Sequence, residues 1–444
     1  MKSVLRKLSE KKTDMLKICG PYKINGIIEV PGDKSISHRS AILSSLTKDK
    51  VVINNFLFSD DCINTLKILK KIGVNYQIDK DAVIIQGCGL SSFIEPDDIL
   101  YTGNSGTSIR LLSGLLCGCN FMSILSGDKS VNNRPMDRII KPLTEMGGKI
   151  FGRLNNSRAP IVIFGGGKLK GIRHEISVAS AQVKSCLTIA ALFADGITEI
   201  IQPEISRDHT ERMLEYFGAN IEYDGKYTKI IPGNDLKGKD IFIPGDFSSA
   251  AFFIVAAVIL KNSKIIIKNT GINPTRSLLL DILIKMGAKI KIKNKRIKNN
   301  EEIADIEASS SKLNAIKVDE KIIPYIIDEI PILSVAAAFA QGVTEIRGAR
   351  ELRVKESDRI KSISNEFNKA GIRVNEYPDG LEIYGNPNQK INSSNLTSYG
   401  DHRIAMSLAV LALRGEEVVQ ISNTGCINTS FRGFEEKLFK LISK

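Results

Sequence analysis

The chain has 444 residues, 43% of them hydrophobic and 25% charged, which suits a folded protein of two or three domains and excludes a disordered one. No apolar run is long enough to span a bilayer. A balance of 62 Lys and Arg against 49 Asp and Glu leaves a net charge of +13, which points to an anionic partner: nucleic acid, an anionic membrane, or small phosphorylated or carboxylated molecules.

The first eighteen residues, Met1–Ile18, are basic, carry Glu10 and Asp14, and lack an apolar centre. They do not read as a secretory signal, and a solvated N-terminal extension is expected. The seven cysteines are scattered, and only Cys117 and Cys119 are close together. No second Cys or His pair completes a zinc set, so a reduced, cytoplasmic chain with buried thiols is expected. Cys117 and Cys119 read as packing within an apolar helix.

A short pattern recurs along the chain. An apolar residue or Ala precedes a Gly, and after two intervening residues an apolar one follows, at Gly73, Gly147, Gly218, Gly287 and Gly371, in steps of 74, 71, 69 and 84. Each Gly closes a segment of helical period, and Gly is a natural stop there because it accepts positive φ. A second element keeps the same rhythm: a small or polar start and then an Ala-, Leu- or Ile-rich helix. It begins near Ser37, Asn104, Ser180, Ser248, Asp328 and Asp401. These six helices are apolar nearly all round, which predicts burial.

The unit therefore reads as two helices and about four strands, six times over. The sixth copy ends at Lys444 without its last strands, and Tyr22–Val30 is expected to supply them. Two lobes of three units follow. Residues 33–246 make a continuous lobe, and residues 1–32 plus 247–444 make one built from both chain ends. The crossings fall at two Pro-Gly-Asp sequences, Pro31–Asp33 and Pro244–Asp246, and a double connection invites closure over a ligand.

Polar groups gather at the starts of the six helices, where free N–H groups and the helix dipole favour anions. Lys34, Ser35 and Arg39 open the first, as an anion site or as an ordinary Ser cap with solvated bases. The stretch Gly103–Arg110 opens the second. Gly106 lets a ligand approach the backbone, although a plain capping loop also fits, and no Walker A ending is present. Arg134 and Arg138 flank Pro135, either as a clamp or as surface arginines. Ser180–Gln182 with Lys184, and Arg207 with His209, mark two further starts. His209 alone reads as structural. Asp328-Glu329 reads as an acidic cap before Pro331. The segment Arg353–Arg359 is dense in charge and reads equally as a solvated helix start. Asp401-His-Arg403 lies against an apolar helix, where burial demands partners. The lysine run Lys289–Lys298 reads as a solvated strand and turn.

Taken in order on a sixfold repeat, Pro31–Arg39, Gly103–Thr107, Arg134–Met136, Ser180–Gln182, Leu352–Arg359 and Asp401–Arg403 resemble the 3-phosphoshikimate 1-carboxyvinyltransferase (5-enolpyruvylshikimate-3-phosphate synthase) family. The resemblance runs from about Tyr22 to Phe434. It implies an inside-out α/β barrel fold of α+β repeats, with two lobes of three βαβαββ units and the active site between them. It also implies transfer of the carboxyvinyl group of phosphoenolpyruvate to the 5-hydroxyl of shikimate 3-phosphate, with no metal and no organic cofactor.

By resemblance, Lys34 touches both substrates. Ser35, Arg39, Ser180, Ala181, Gln182, Arg207, Asp328 and Lys355 hold shikimate 3-phosphate. Gly106, Arg134, Gln182, Arg359 and Arg403 hold phosphoenolpyruvate. Asp328 is the expected base for the 5-hydroxyl, and Glu356 the carrier of the methyl proton, with Lys34 near the bridging oxygen. To act as an acid near neutral pH, Glu356 has to be raised by burial from a usual value of about 4. Two positions depart from the family pattern: Thr429 stands where many members place a Lys, and Arg432 where a Pro is usual. Gly106 is the small residue expected of glyphosate-sensitive members.

Three other readings exist. The other enolpyruvyl transferase of this fold acts on UDP-N-acetylglucosamine and usually carries a Cys in the loop that corresponds to Ser126–Asn133, where this chain has none. A nucleic-acid-binding protein is suggested by charge alone, without a stacking motif. A non-catalytic repeat scaffold conflicts with the presence of Asp328, Lys355, Glu356 and Arg403. A monomer is expected, since each lobe can close on itself.

Overall fold

A computed structural model describes residues 14–392 and 394–443. Among the described residues, five of six sheets repeat one pattern, in which a first strand runs parallel to a second and the second, fourth and third pair antiparallel; the sixth has three strands and lacks the third. In the second unit the order is Leu100–Tyr101, Met122–Ser126, Arg158–Phe164, Lys149–Gly152. Each unit carries an inner helix before its second strand, and the first five carry an outer helix before their third; the sixth unit's outer helix, Phe434–Leu441, leads instead into Ile442–Ser443, which pairs with Lys23–Glu29 in the fourth sheet. The inner helices are Lys34–Ser45, Gly106–Cys117, Ala181–Ala191, Phe247–Ile259, Ile330–Ala338 and His402–Ala412. Every residue of Phe247–Ile259, Ile330–Ala338 and His402–Ala412 is buried. Their all-round apolar sequences have no other stable setting.

The outer helices end just before the repeated glycines. Gly73, Gly147, Gly218, Gly287 and Gly371 have φ of 96°, 97°, 81°, 102° and 89°. A side chain there would strain the backbone, which is why Gly punctuates the repeat. Cys117 is the last residue of its helix, Gly118 caps it, and Cys119 lies beyond the helix rather than within it. Lys289–Lys298 is an edge strand with its lysines exposed, a charge pattern that discourages pairing with other chains.

The buried apolar side chains form two clusters. One runs from Ile36 to Ile243. The other joins Leu16–Val30 to Phe247–Leu438. Between them the two Pro-Gly-Asp sequences lie side by side: Asp33 N donates to Pro244 O at 2.8 Å, and Asp246 N to Pro31 O at 2.8 Å.

Both ends of the second cluster differ from the sequence expectation. Lys23–Glu29 does not complete the sixth unit. It runs parallel to Lys264–Gly271 in the fourth sheet. The sixth sheet is completed by Met15–Ile18, antiparallel to Val419–Ser422. That segment is therefore a strand with Leu16 and Ile18 buried, not a solvated extension. The rest of the expected extension, residues 1–13, lies outside the described residues. Among the described residues, no helix is long and apolar enough to cross a membrane.

Ile18 is 2% exposed against the second core. Ile18→Ala should cost roughly 2–4 kcal/mol, read as a lower urea midpoint. An unchanged midpoint would place this strand outside the cooperative core.

Candidate functional site

A cavity of about 440 Å³ lies between the two clusters. All six inner helices bring their starts to it, with Lys34 and Ser35, Gly106 and Thr107, Ala181 and Gln182, Asp246, Asp328, and His402 and Arg403 in its wall. Each inner helix buries its apolar length and leaves its N–H-rich end facing the cavity, so the wall carries a positive field before any side chain is counted. Arg39, Arg134, Ser180, Arg207, Lys355, Glu356 and Arg359 also line it.

Side chains at this wall are ion-paired. Asp328 meets four cations. Arg207 Nη2 donates to its Oδ2, Arg359 Nη1 donates to its Oδ1 at 3.3 Å, Lys355 Nζ lies 3.5 Å from Oδ1, and Arg403 Nη2 lies 3.8 Å from Oδ2. Arg403 Nη1 also donates to the Asp328 carbonyl at 2.9 Å. Glu356 accepts from Arg359 Nη2 at 2.6 Å and sits 3.3 Å from Arg134 Nη2. Lys34 Nζ donates to Asp61 at 3.0 Å. Arg359 is anchored from behind, with Nε donating to Asp401 at 2.7 Å. Asp401 caps the sixth inner helix, which gives the buried Asp401 and Arg403 the partners their burial requires.

The electrostatics follow from this pairing. Burial pushes the Asp328 carboxyl up, but Lys355, Arg403, Arg207 and Arg359 together hold it well below the usual carboxylate range. Glu356 behaves the same way: burial raises it, and Arg134 and Arg359 overcome that and keep it ionised. Glu356 therefore does not carry the upward shift that acid chemistry near neutral pH requires. Burial pulls the Lys34 ammonium down, yet Asp61 and Glu356 leave it above its usual value. Lys355 stays below its usual value through burial, despite Asp328. Burial, with Lys34, also pushes His402 well below the usual imidazole value.

Other sequence candidates fall into place differently. Ser180 caps its helix, accepting from Val183 N at 3.4 Å. Gln182 Oε1 accepts from Arg110 Nη1, and its amide donates to Thr107 Oγ1 at 3.0 Å. Arg39 is 2% exposed and donates three of its five N–H groups, to Thr210, Ser185 and the Ser35 carbonyl. Glu329 sits at the cap position of its helix but makes no capping bond. Its carboxylate accepts from Ser248 Oγ instead. His209 pairs with Glu301 across the two clusters at 2.7 Å, as a structural histidine does. Arg353 points away from the cavity, to Asp358 and Glu376. Thr429 does not line the cavity; it donates to the Cys426 carbonyl at 2.7 Å. Arg432 bridges to Asp60 at 2.9 Å, from the second cluster to the first.

The sequence reading gave no role to Asp61, Arg110, Glu351 or Arg276. Arg138 forms a two-pronged pair with Glu351, at 2.8 and 3.0 Å, that also crosses between the clusters. Its signal was visible only in part, as the second Arg after Arg134. Nothing local marks Glu351, because its partner lies 213 residues away.

Comparison with known proteins follows the same lines. The family model described as EPSP synthase (3-phosphoshikimate 1-carboxyvinyltransferase) matches residues 18–438. The chain is 49% identical over 424 residues to the 3-phosphoshikimate 1-carboxyvinyltransferase of Petrotoga mobilis, covering 95% of this chain and 98% of that one. It is 45% identical over 421 residues to that of Citrifermentans bemidjiense, covering 95% and 97%. Among solved structures, EPSP synthase from Acinetobacter baumannii superimposes with a TM-score of 0.86 at 39% identity, covering 97% and 99%. The enolpyruvyl transferase NikO from Streptomyces tendae, 17% identical with a TM-score of 0.76 and coverage of 97% and 98%, shares the fold. These matches, reached independently of the cavity, establish that the chain belongs to the EPSP synthase (3-phosphoshikimate 1-carboxyvinyltransferase) family.

Proposed function

We infer that the chain transfers the carboxyvinyl group of phosphoenolpyruvate to the 5-hydroxyl of shikimate 3-phosphate and releases phosphate, as the aromatic (shikimate) pathway requires. The observation that carries the chemistry is the Asp328 carboxylate, set among Arg207, Lys355, Arg359 and Arg403 at the meeting of the helix starts. Two polyanionic substrates need such a surplus of guanidinium groups.

Shikimate 3-phosphate lies against Lys34, Ser35, Arg39, Ser180, Ala181, Gln182, Arg207, Asp328 and Lys355. Phosphoenolpyruvate lies between Lys34, Gly106, Arg134, Gln182, Arg359 and Arg403. The two cores act as lobes, 33–246 and the described parts of 14–32 plus 247–443, that close on the pair.

The methylene carbon of phosphoenolpyruvate accepts a proton, and C2 becomes electrophilic. The 5-hydroxyl gives its proton to Asp328 as its oxygen attacks C2. The tetrahedral intermediate then loses a methyl proton and phosphate. Glu356 carries the proton at the methyl carbon, and Lys34 stabilises the bridging oxygen.

The arginines that keep Asp328 and Glu356 ionised are also those the substrates need. When phosphoenolpyruvate takes Arg134 and Arg359, Glu356 loses the two charges that lower its pKa most while its burial remains. Its proton affinity rises on binding, which is how a carboxyl held low in the free enzyme becomes an acid. The seven free cysteines suit a reducing cytoplasm, and the protein acts there as a monomer.

A Cβ on Gly106 would stand 2.7 Å from Arg134 Nη1, so the glycine keeps that guanidinium in place. Glyphosate, a phosphonate-bearing anion, competes for the phosphoenolpyruvate site.

Phosphate release is measured with phosphoenolpyruvate and shikimate 3-phosphate, beside a reaction with UDP-N-acetylglucosamine. Release is expected with shikimate 3-phosphate only, and Asp328→Ala or Lys34→Ala should reduce it at least about a hundredfold. Release only with the nucleotide sugar would overturn the substrate.

Gly106→Ala should raise both KM for phosphoenolpyruvate and the glyphosate Ki. Full activity at millimolar glyphosate with an unchanged KM would contradict competition at this site.

Asp328 and Glu356 have depressed values in the folded chain, so their stabilisation is present above the unfolded value of about 4 and disappears as pH falls through the folded values. Unfolding in urea between pH 7 and 2 should show stability falling below about pH 4, and falling less steeply in Glu356→Gln. Parallel curves would remove Glu356 from the paired cluster.

A further inference from the structure

Arg276 follows the strand Lys264–Gly271, is 3% exposed, and lies at the cavity wall beside both chain crossings. Nη2 donates to Asp246 Oδ1 at 3.1 Å and to Ser248 Oγ at 2.8 Å. Nε lies 3.3 Å from Asp33 Oδ2. Asp33 and Asp246 are the caps of the first inner helix of each core, accepting from Ile36 N at 2.9 Å and Ser248 N at 2.8 Å. One guanidinium therefore neutralises the two buried carboxylates that begin Lys34–Ser45 and Phe247–Ile259.

The path continues into the site. Ser248 Oγ accepts from Arg276 and donates to Glu329 Oε1. The same Glu329 oxygen lies 3.5 Å from Arg403 Nη1, which donates to the Asp328 carbonyl. Four of the six inner helix starts are thus joined through buried polar atoms that run from the crossings to a guanidinium facing the cavity. A Lys at position 276 keeps the charge but lacks the fork that reaches Asp33, Asp246 and Ser248 together.

We propose that Arg276 is a positioning residue which, through Ser248 and Glu329, fixes Arg403 relative to Lys34 across the cleft. It touches neither reacting atom. Its effect is on where the phosphoenolpyruvate-binding guanidinium stands. Removing the Ser248 hydroxyl leaves Glu329 to draw Arg403 inward alone. The kinetic part of this proposal rests on the transferase reading above.

The test uses Ser248→Ala and Arg276→Lys in the full chain. Ser248→Ala should raise KM for phosphoenolpyruvate roughly tenfold, the loss expected for one charge-assisted hydrogen bond, with KM for shikimate 3-phosphate within about twofold. Arg276→Lys should do the same and, without any substrate, speed amide hydrogen exchange at Ile36 and Ser248, the two capped positions. A silent Ser248→Ala would overturn the relay. A fall in kcat with both KM values unchanged would mark a merely structural role and overturn it too. If the unmodified chain releases no phosphate from the substrate pair, the transferase reading fails by itself. The exchange result then decides: unchanged exchange at both amides in Arg276→Lys overturns the proposal, and faster exchange at both upholds it.

Discussion

Pairing of buried charge is the constraint from which the rest of this structure follows. Placing Lys34, Arg134, Arg207, Lys355, Arg359 and Arg403 around one cavity would repel the two cores if the cations stood alone, and desolvating them would cost several kcal/mol each. Asp61, Asp328, Glu356 and Asp401 supply the opposite charge. Two of these pairs, Arg207–Asp328 and Arg134–Glu356, cross between the cores. The wall of the cavity is therefore held together in part by ion pairs across the cleft.

The repeat explains how so many cations reach one place. A single inner helix offers an N-terminus and one or two polar residues. Six copies in two groups of three turn those ends toward a shared centre, while their apolar lengths fill the two cores. The side-by-side crossings at Gly32 and Gly245 allow this with only two connections. Three further pairs join the cores: Arg138–Glu351 at the cavity wall, the buried His209–Glu301, and Arg432–Asp60. Arg432–Asp60 is open to solvent, where salt weakens it and its contribution is small.

Much of this was legible in the sequence, for local reasons. The five repeated glycines reveal the helix ends because only Gly takes those positive φ values without strain. The six apolar helices announce their own burial. Asp401, His402 and Arg403 signal pairing because an apolar helix allows no other outcome. What was not legible depends on partners far away. Met15–Ile18 looks solvated because nothing local shows Val419–Ser422 waiting as an edge. Lys23–Glu29 fits either of two sheets by pattern alone, and register with Lys264–Gly271 decides. Glu351, Asp61 and Arg276 are ordinary charged residues until folding brings their partners near. The proton affinity of Glu356 is equally hidden in the sequence, because Arg134, more than two hundred positions away, and Arg359 together outweigh its burial.

On the proposed reading, substrate anions take the arginines from Glu356 and Asp328 and so restore the proton affinity the chemistry uses. Proton uptake on binding is the measurement that decides it. Calorimetric titration of the shikimate 3-phosphate complex with an unreactive phosphoenolpyruvate analogue, repeated near pH 6 in buffers of different ionisation enthalpy, counts protons bound. Net uptake is expected in the unmodified chain and a clearly smaller uptake in Glu356→Gln. Equal uptake in both, or none in either, would contradict it.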